Sequence, residues 1–129
     1  MTITILRTIA LLVALAMSVR ANAADFTRNV TFTQGKASTA IQGDVIRGDR
    51  DNYLLRVRAG QVMSVEVTAQ ENNAAFSIFE PKADEPIPGT ESEHDRTKWS
   101  GVLAKSGIYR IEVGSTRGNA QYTLRVSVK

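Results

Sequence analysis

From residue 28 to the carboxyl terminus, apolar and polar side chains alternate with a period of two. That is the spacing of a strand with one face in a core and the other in water, not the 3.6-residue period of an amphipathic helix. The chain divides into about eight such stretches. The first, over residues 28–33, puts Val30 and Phe32 on one face, and the second, over residues 39–46, contains Gly43, where a bulge or a close approach is expected. Tyr53, Leu55 and Val57 alternate with Leu54, Arg56 and Arg58. After a turn at Ala59-Gly60-Gln61, Met63, Val65 and Val67 alternate with Ser64, Glu66 and Thr68, so these two strands are expected to form a hairpin. Phe76 and Ile78 mark a strand that Pro81 ends, and residues 99–103, 109–113 and 122–128 complete the set. In the last, Tyr122, Leu124, Val126 and Val128 oppose Thr123, Arg125, Ser127 and Lys129, which predicts one buried and one solvated face.

Gly35, Gly48, Gly60, Gly89, Gly107, Gly114 and Gly118 fall between these stretches, where turns call for positive φ. With no helix of useful length to cover a sheet, the strands must pack sheet on sheet. The expected fold is therefore all-β, an antiparallel, jelly-roll-like β-sandwich. One long irregular segment, residues 81–98, holds all three prolines and the run Glu91-Ser92-Glu93-His94-Asp95-Arg96. Segments this long in small domains are functional or disordered.

The alternation begins only after a different kind of sequence. Arg7, an apolar run over residues 9–17 and Ala21-Asn22-Ala23 have the order of a secretory leader ending at residue 23, too short in its apolar part to span a bilayer. Taking 23 residues from 129 leaves one domain of 106, residues 24–129, exported to the periplasm with no membrane attachment in its mature form. The leader removes Arg7 and Arg20, leaving 14 basic against 13 acidic side chains, so the basic character of the full chain gives no case for nucleic acid. The absence of cysteine excludes disulfides and a lipid-modified terminal cysteine, and packing alone must hold the fold.

Catalytic chemistry finds little purchase. His94 is the single histidine, flanked by Glu93 and Asp95, and neighbours on a loop rarely converge on one ion or proton. No Gly-x-Ser-x-Gly elbow presents a nucleophile. Asp44, Asp49, Asp51 and Asn52 around Gly48 would suit a hard cation such as Ca²⁺, but the same residues are ordinary turn formers with Arg47 and Arg50 among them, and the turn reading is preferred. No catalytic residue, metal or cofactor is assigned. Ser106-Gly107-Ile108-Tyr109 and Ser115-Thr116-Arg117-Gly118-Asn119 flank one strand, and so lie at its two ends. The plain reading gives Gly107 a turn, Tyr109 a place in the core and Arg117 to solvent, whereas the sharper one presents Arg117, a rigid fork of donors, to a partner carboxylate.

The order Phe32-x-x-Gly35, Ile41-x-Gly43, Asp51-Asn52-Tyr53, Ala59-Gly60-Gln61, Phe76, Trp99-Ser100-Gly101-x-Leu103, Ser106-Gly107-x-Tyr109 and Tyr122-x-Leu124 resembles the periplasmic inhibitors of goose-type lysozyme. It also resembles the wider group of bacterial pre-peptidase carboxyl-terminal β-sandwich modules. The likeness covers roughly residues 30–129 and rests mostly on structural punctuation. It implies a non-enzymatic protein whose partner is a goose-type lysozyme and whose loops enter the substrate cleft of that enzyme. The contacts it implies are Arg117, with Thr116 and Asn119 beside it, and Ser106, Gly107 and Tyr109, which match the family's Ser-Gly-x-Tyr. Ala120-Gln121 stands where the resemblance implies further basic residues. The alternative is a carbohydrate- or cell-envelope-binding module of the pre-peptidase type, calcium-dependent in one version, which would need flat aromatic rings in solvent.

Overall fold

The computed structural model describes residues 26–129, and the leader with its cleavage point lies outside the described residues. Eight strands follow one another: β1 (Phe26–Asn29), β2 (Ser38–Val45), β3 (Arg50–Val57), β4 (Val62–Ala69), β5 (Ala74–Phe79), β6 (Lys98–Val102), β7 (Gly107–Ser115) and β8 (Ala120–Val128). A single 3-10 turn, Ser92–His94, interrupts the segment before β6. The strands form two four-stranded sheets, β1-β3-β7-β5 and β2-β8-β4-β6, and the predicted β-sandwich is the observed fold. Alternation decides which side of each strand faces the other sheet. Along β8, Ala120, Tyr122, Leu124, Val126 and Val128 are buried, while Gln121 and Arg125 are exposed. Opposite them lie Tyr53, Leu55, Ile78, Tyr109, Ile111 and Val113 of the first sheet, in one continuous core.

Three expectations are corrected. β3 and β4 do not pair as a hairpin: β3 lies against β7 in one sheet, and β4 between β8 and β6 in the other. The turn between them, closed by the Arg58 N–H on the Gln61 Oε1 at 2.7 Å and fastened just beyond β6 by the Gly60 N–H on the Leu103 carbonyl at 2.8 Å, carries the chain across the sandwich. Alternation fixes which face is buried and leaves open which strand lies alongside. Second, the sheets are not wholly antiparallel, because β1 pairs with β3 in parallel. The chain passes from β1 to β2 in the other sheet and returns, so two reversals restore its direction. β1 also ends at Asn29, and Val30 is buried just beyond it with its N–H on the Leu54 carbonyl at 2.8 Å. Third, Asp51 and Asn52, read as turn residues, are buried within β3.

Residues 81–98 are an edge cover. The Ile87 N–H reaches the Ile78 carbonyl at 2.7 Å, and the Phe76 N–H reaches the Arg96 carbonyl at 2.9 Å, so the segment occupies hydrogen-bonding positions along β5, the outer strand of its sheet. Thr90 is wholly buried, and its Oγ1 donates to the Ile87 carbonyl at 2.8 Å while accepting the Ile78 N–H at 3.1 Å. Covering an open edge removes a template for intermolecular strand pairing. The segment then crosses to the second sheet, where the Thr97 carbonyl accepts the Val67 N–H at 2.9 Å and β6 begins.

Gly43 is the close-approach point that its place in β2 suggested. It sits opposite Tyr122 in register, and a Cβ there would overlap the phenol ring. The Tyr122 ring is held by its bonds to Asp51 and Tyr53 and cannot swing aside without breaking them. Gly43→Ala is therefore expected to lower the stability of the mature domain by about 1–3 kcal/mol, measured by denaturant unfolding.

Candidate functional site

Because β2, β4 and β7 end where β3, β5 and β8 begin, the turns β2–β3, β4–β5 and β7–β8 gather at one end of the sandwich. Thr116, Arg117 and Asn119 lie here, all exposed. Ser106 and Gly107 lie at the opposite end, where β6 turns into β7. The nine residues of β7 separate the two groups by roughly 30 Å at the rise of an extended strand.

Asn73, in the β4–β5 turn, organises the first end. Its amide donates to the carbonyls of Arg117 at 3.1 Å and Asn119 at 3.0 Å, and its own backbone carbonyl accepts the Thr116 N–H at 2.8 Å. Asn73 is buried, at 3% exposure, so its amide depends on these bonds in place of water. The Ser115 hydroxyl sits between the Arg117 and Gly118 carbonyls, and the Asn119 Oδ1 accepts the Arg47 N–H at 2.9 Å, which joins the β2–β3 turn to the same framework. The Arg117 guanidinium donates to the Glu71 carbonyl. Its stem is thus held between two turns while the residue as a whole stays exposed.

Ile46 and Asn73 were not singled out from sequence. Ile46 stands in the β2–β3 turn at 60% exposure, and its signal was present, since the adjacent aliphatics Val45-Ile46 cannot both face inward from one strand. Asn73 gave only the ordinary turn signal of Asn72-Asn73.

A buried polar relay underlies this end. The Tyr122 hydroxyl donates to the Asp51 Oδ2 at 2.6 Å, and because that uses its only proton, the Tyr53 hydroxyl donates to Tyr122. The two rings meet edge to face with centroids 6.5 Å apart. Burial pushes the Tyr122 hydroxyl far above the ordinary phenol range, and its bond to Asp51 pushes it further. Burial also raises the Asp51 carboxyl, against the lowering effect of the bond from Tyr122, and the neighbouring Asp49 and Asp44 add to the rise. Both tyrosines therefore stay protonated donors.

A groove opens beside this end on the outer face of the second sheet. A depression of about 370 Å³ between the turns, bounded by Ile46, Asn119 and Glu71, meets another of about 470 Å³ that runs down the sheet past Gln42 and Thr123. The two share Asp44, Gln70 and Gln121.

The remaining sequence candidates make contacts within the domain. The Ser106 Oγ accepts the Ala59 N–H at 2.8 Å, which ties the β6–β7 turn to the β3–β4 turn. Gly107, at φ +140°, packs where a Cβ would press on Pro81. Tyr109 is 1% exposed, and its hydroxyl donates to the Lys105 carbonyl at 3.1 Å and accepts the Lys105 N–H at 3.3 Å, so it faces the core and its own turn. The His94 Nε2 lies 3.3 Å from the Glu91 Oε2 on the exposed segment before β6. Asp44 points to the outer face of the second sheet while Asp51 turns inward, and among the described residues no three acidic or histidine side chains are disposed to hold a metal ion. Tyr53, Tyr109 and Tyr122 are buried, so none of the three offers a flat platform for a glycan, and Trp99 is partly buried against the core.

Among solved structures, the chain is similar to PliG of Aeromonas hydrophila, a periplasmic lysozyme inhibitor of g-type (goose-type) lysozyme. The identity is 31% and the TM-score 0.68, over 82% of this chain and 100% of that one. Salmonella Typhimurium PliG, likewise an inhibitor of g-type lysozyme, shares the fold at 21% identity and TM-score 0.66, covering 82% of this chain and all of that one. The pre-peptidase C-terminal domain of a Bacillus anthracis collagenase shares it at 19% identity and TM-score 0.57, covering 84% and 99%. No protein-family model and no curated protein matches the chain.

Two outcomes follow from the bonds at this end. Asn73→Ala removes the two hydrogen bonds that the buried amide makes across the turns and is expected to cost about 1–3 kcal/mol in unfolding free energy, with faster amide exchange at Thr116 than in the parent. Asp51 holds its proton in the folded state above the ordinary value of 3.8, so folding stability from this group falls as pH rises from below 3.8 through the raised value. Asn at position 51 does not titrate. The stability of Asp51→Asn relative to the parent is expected to rise across that interval and then level off, in urea unfolding at pH values from about 3 to 7.

Proposed function

Because the chain belongs to the family of periplasmic inhibitors of g-type lysozyme, we propose that it is exported, loses residues 1–23 and binds a g-type lysozyme in the periplasm. In this reading it fills the enzyme's substrate cleft with the turn that carries Arg117. The observation that carries it is the likeness to the Aeromonas hydrophila inhibitor, which spans the whole of that protein. The chain is accordingly not an enzyme, and its partner is a protein.

The local geometry supports Arg117 as the contact. A glycosidase cleft is lined with carboxylates, and a guanidinium placed among them makes charge-assisted hydrogen bonds in a partly desolvated site. Asn73 fixes the backbone on both sides of Arg117, so little order has to be gained on binding. Thr116 and Asn119 flank it, and Ile46 supplies an apolar contact from the neighbouring turn. We assign Ser106, Gly107 and Tyr109 to holding the far end, since one enzyme surface would have to span roughly 30 Å to touch both groups.

The test is titration of the mature domain, from Ala24 onward, into a g-type lysozyme with lysis of a cell-wall suspension as the readout and chicken-type lysozyme as the control. Selective loss of g-type activity at near-stoichiometric inhibitor is expected, and no effect on the g-type enzyme overturns the proposal. Arg117→Ala is expected to weaken inhibition by about 2 kcal/mol, on the order of thirtyfold, the scale of a buried arginine anchor. Its melting temperature should stay within about 2 °C of the parent, because the side chain is exposed. Unchanged inhibition by that variant removes Arg117 from the interface.

A further inference from the structure

We propose that the groove beside Arg117, on the outer face of the second sheet, receives a basic segment of the same protein partner. The inhibitor would then offer a lysozyme both an inserted cation and an acidic, amide-lined receptor. This inference rests on the proposed function and extends its contact surface from the turns onto the sheet.

Charge along the face carries the argument. The groove next to the turns contains the carboxylates of Asp44 and Glu71, and no lysine or arginine lines it. Further along the same sheet, the surface reverses sign: a depression of about 770 Å³ is lined by Lys36, Lys98 and Arg125 against Glu66 alone. A basic segment laid on this face is therefore drawn to the half beside Arg117 and repelled from the other half, which fixes its position as well as its sign. The groove's remaining chemistry suits such an occupant. The amides of Gln42, Gln70, Gln121 and Asn119 offer carbonyl oxygens to ammonium or guanidinium groups and N–H donors to the backbone of an extended segment. Gln42 and Gln121 alternate outward on adjacent strands, β2 and β8, opposite the buried Ile41 and Tyr122, so they are presented to solvent by the same pleat that fills the core.

Position ties the groove to the same partner. The Arg117 guanidinium is bonded to the Glu71 carbonyl, and Glu71 forms part of the groove wall. A body that takes Arg117 into a cleft therefore lies over the mouth of the groove. Ile46, exposed on the wall, continues the contact between the two.

Asp44 and Glu71 are exposed, so Asp44→Asn, Glu71→Gln and the double variant should fold as the parent does, which the melting temperature checks. Binding of each to a g-type lysozyme is measured by calorimetry at low and high salt. The double variant is expected to bind about tenfold more weakly at low salt, with the difference shrinking as salt screens the charges. Thr123→Arg, which sets a cation in the groove, should weaken binding as well. If the double variant binds within about twofold of the parent while Arg117→Ala is impaired, the groove is not part of the interface and the proposed function stands. If Thr123→Arg tightens binding, the groove takes an anionic segment and the inference is overturned. Self-association of the domain that the double variant abolishes would make the occupant a second copy and overturn it too. If the parent binds no g-type lysozyme, the proposed function fails and this inference with it.

Discussion

The apolar faces of two sheets, with no cysteine anywhere in the chain to cross-link them, leave water only by meeting each other. Each strand can contribute one face to that contact, so the path of the chain is governed by the need to place every alternating stretch over the common core. That is why β3 and β4 part company. Folded as a hairpin they would extend one sheet, whereas passing from one sheet to the other builds both faces of the sandwich at once.

Repeated crossing between sheets has a second effect: it brings turns distant in sequence to the same end. The chain of bonds from Arg47 through Asn119 and Asn73 to Thr116 joins three turns into one rigid surface. A buried amide with its partners satisfied gives such a surface a single conformation, because any other would leave polar groups unpaired away from water. The Tyr53–Tyr122–Asp51 relay obeys the same rule inside the sandwich, and Gly43 leaves the space that the Tyr122 ring needs.

An inhibitor gains from this rigidity. A loop that had to order itself on entering a cleft would lose binding energy to entropy, whereas a turn already fixed at both flanks loses little. The outer faces are free for recognition because the inner faces alone hold the fold. On the second sheet, that freedom is used to separate charge, with carboxylates and amides towards the Arg117 end and cations towards the other. On the first sheet, Arg110 stacks on Phe79 at 3.9 Å and bonds Asn52 at 3.1 Å and Glu112 at 2.5 Å, so this arginine is occupied within the sheet.

The two-residue period by itself determined the fold class, the number of strands and the buried face of each, because period and burial follow from the geometry of a single strand. It also marked Gly43 as a point of close approach and placed the loops bearing Ser106 and Arg117 at opposite ends of one strand. The neighbours of each strand were decided only by the tertiary structure, as β3, β4 and the parallel β1 illustrate. The same holds for the polar residues. Asp51 reads as a turn former and Asn73 gives only a turn signal, because what buries each is a partner remote in the chain, whereas the irregular segment 81–98 covers the edge of the strand that precedes it. Tyr122 lies 71 positions from Asp51, and Arg117 lies 44 from Asn73. A polar side chain can enter a core only where its hydrogen bonds are met, and whether they are met depends on which strands come together.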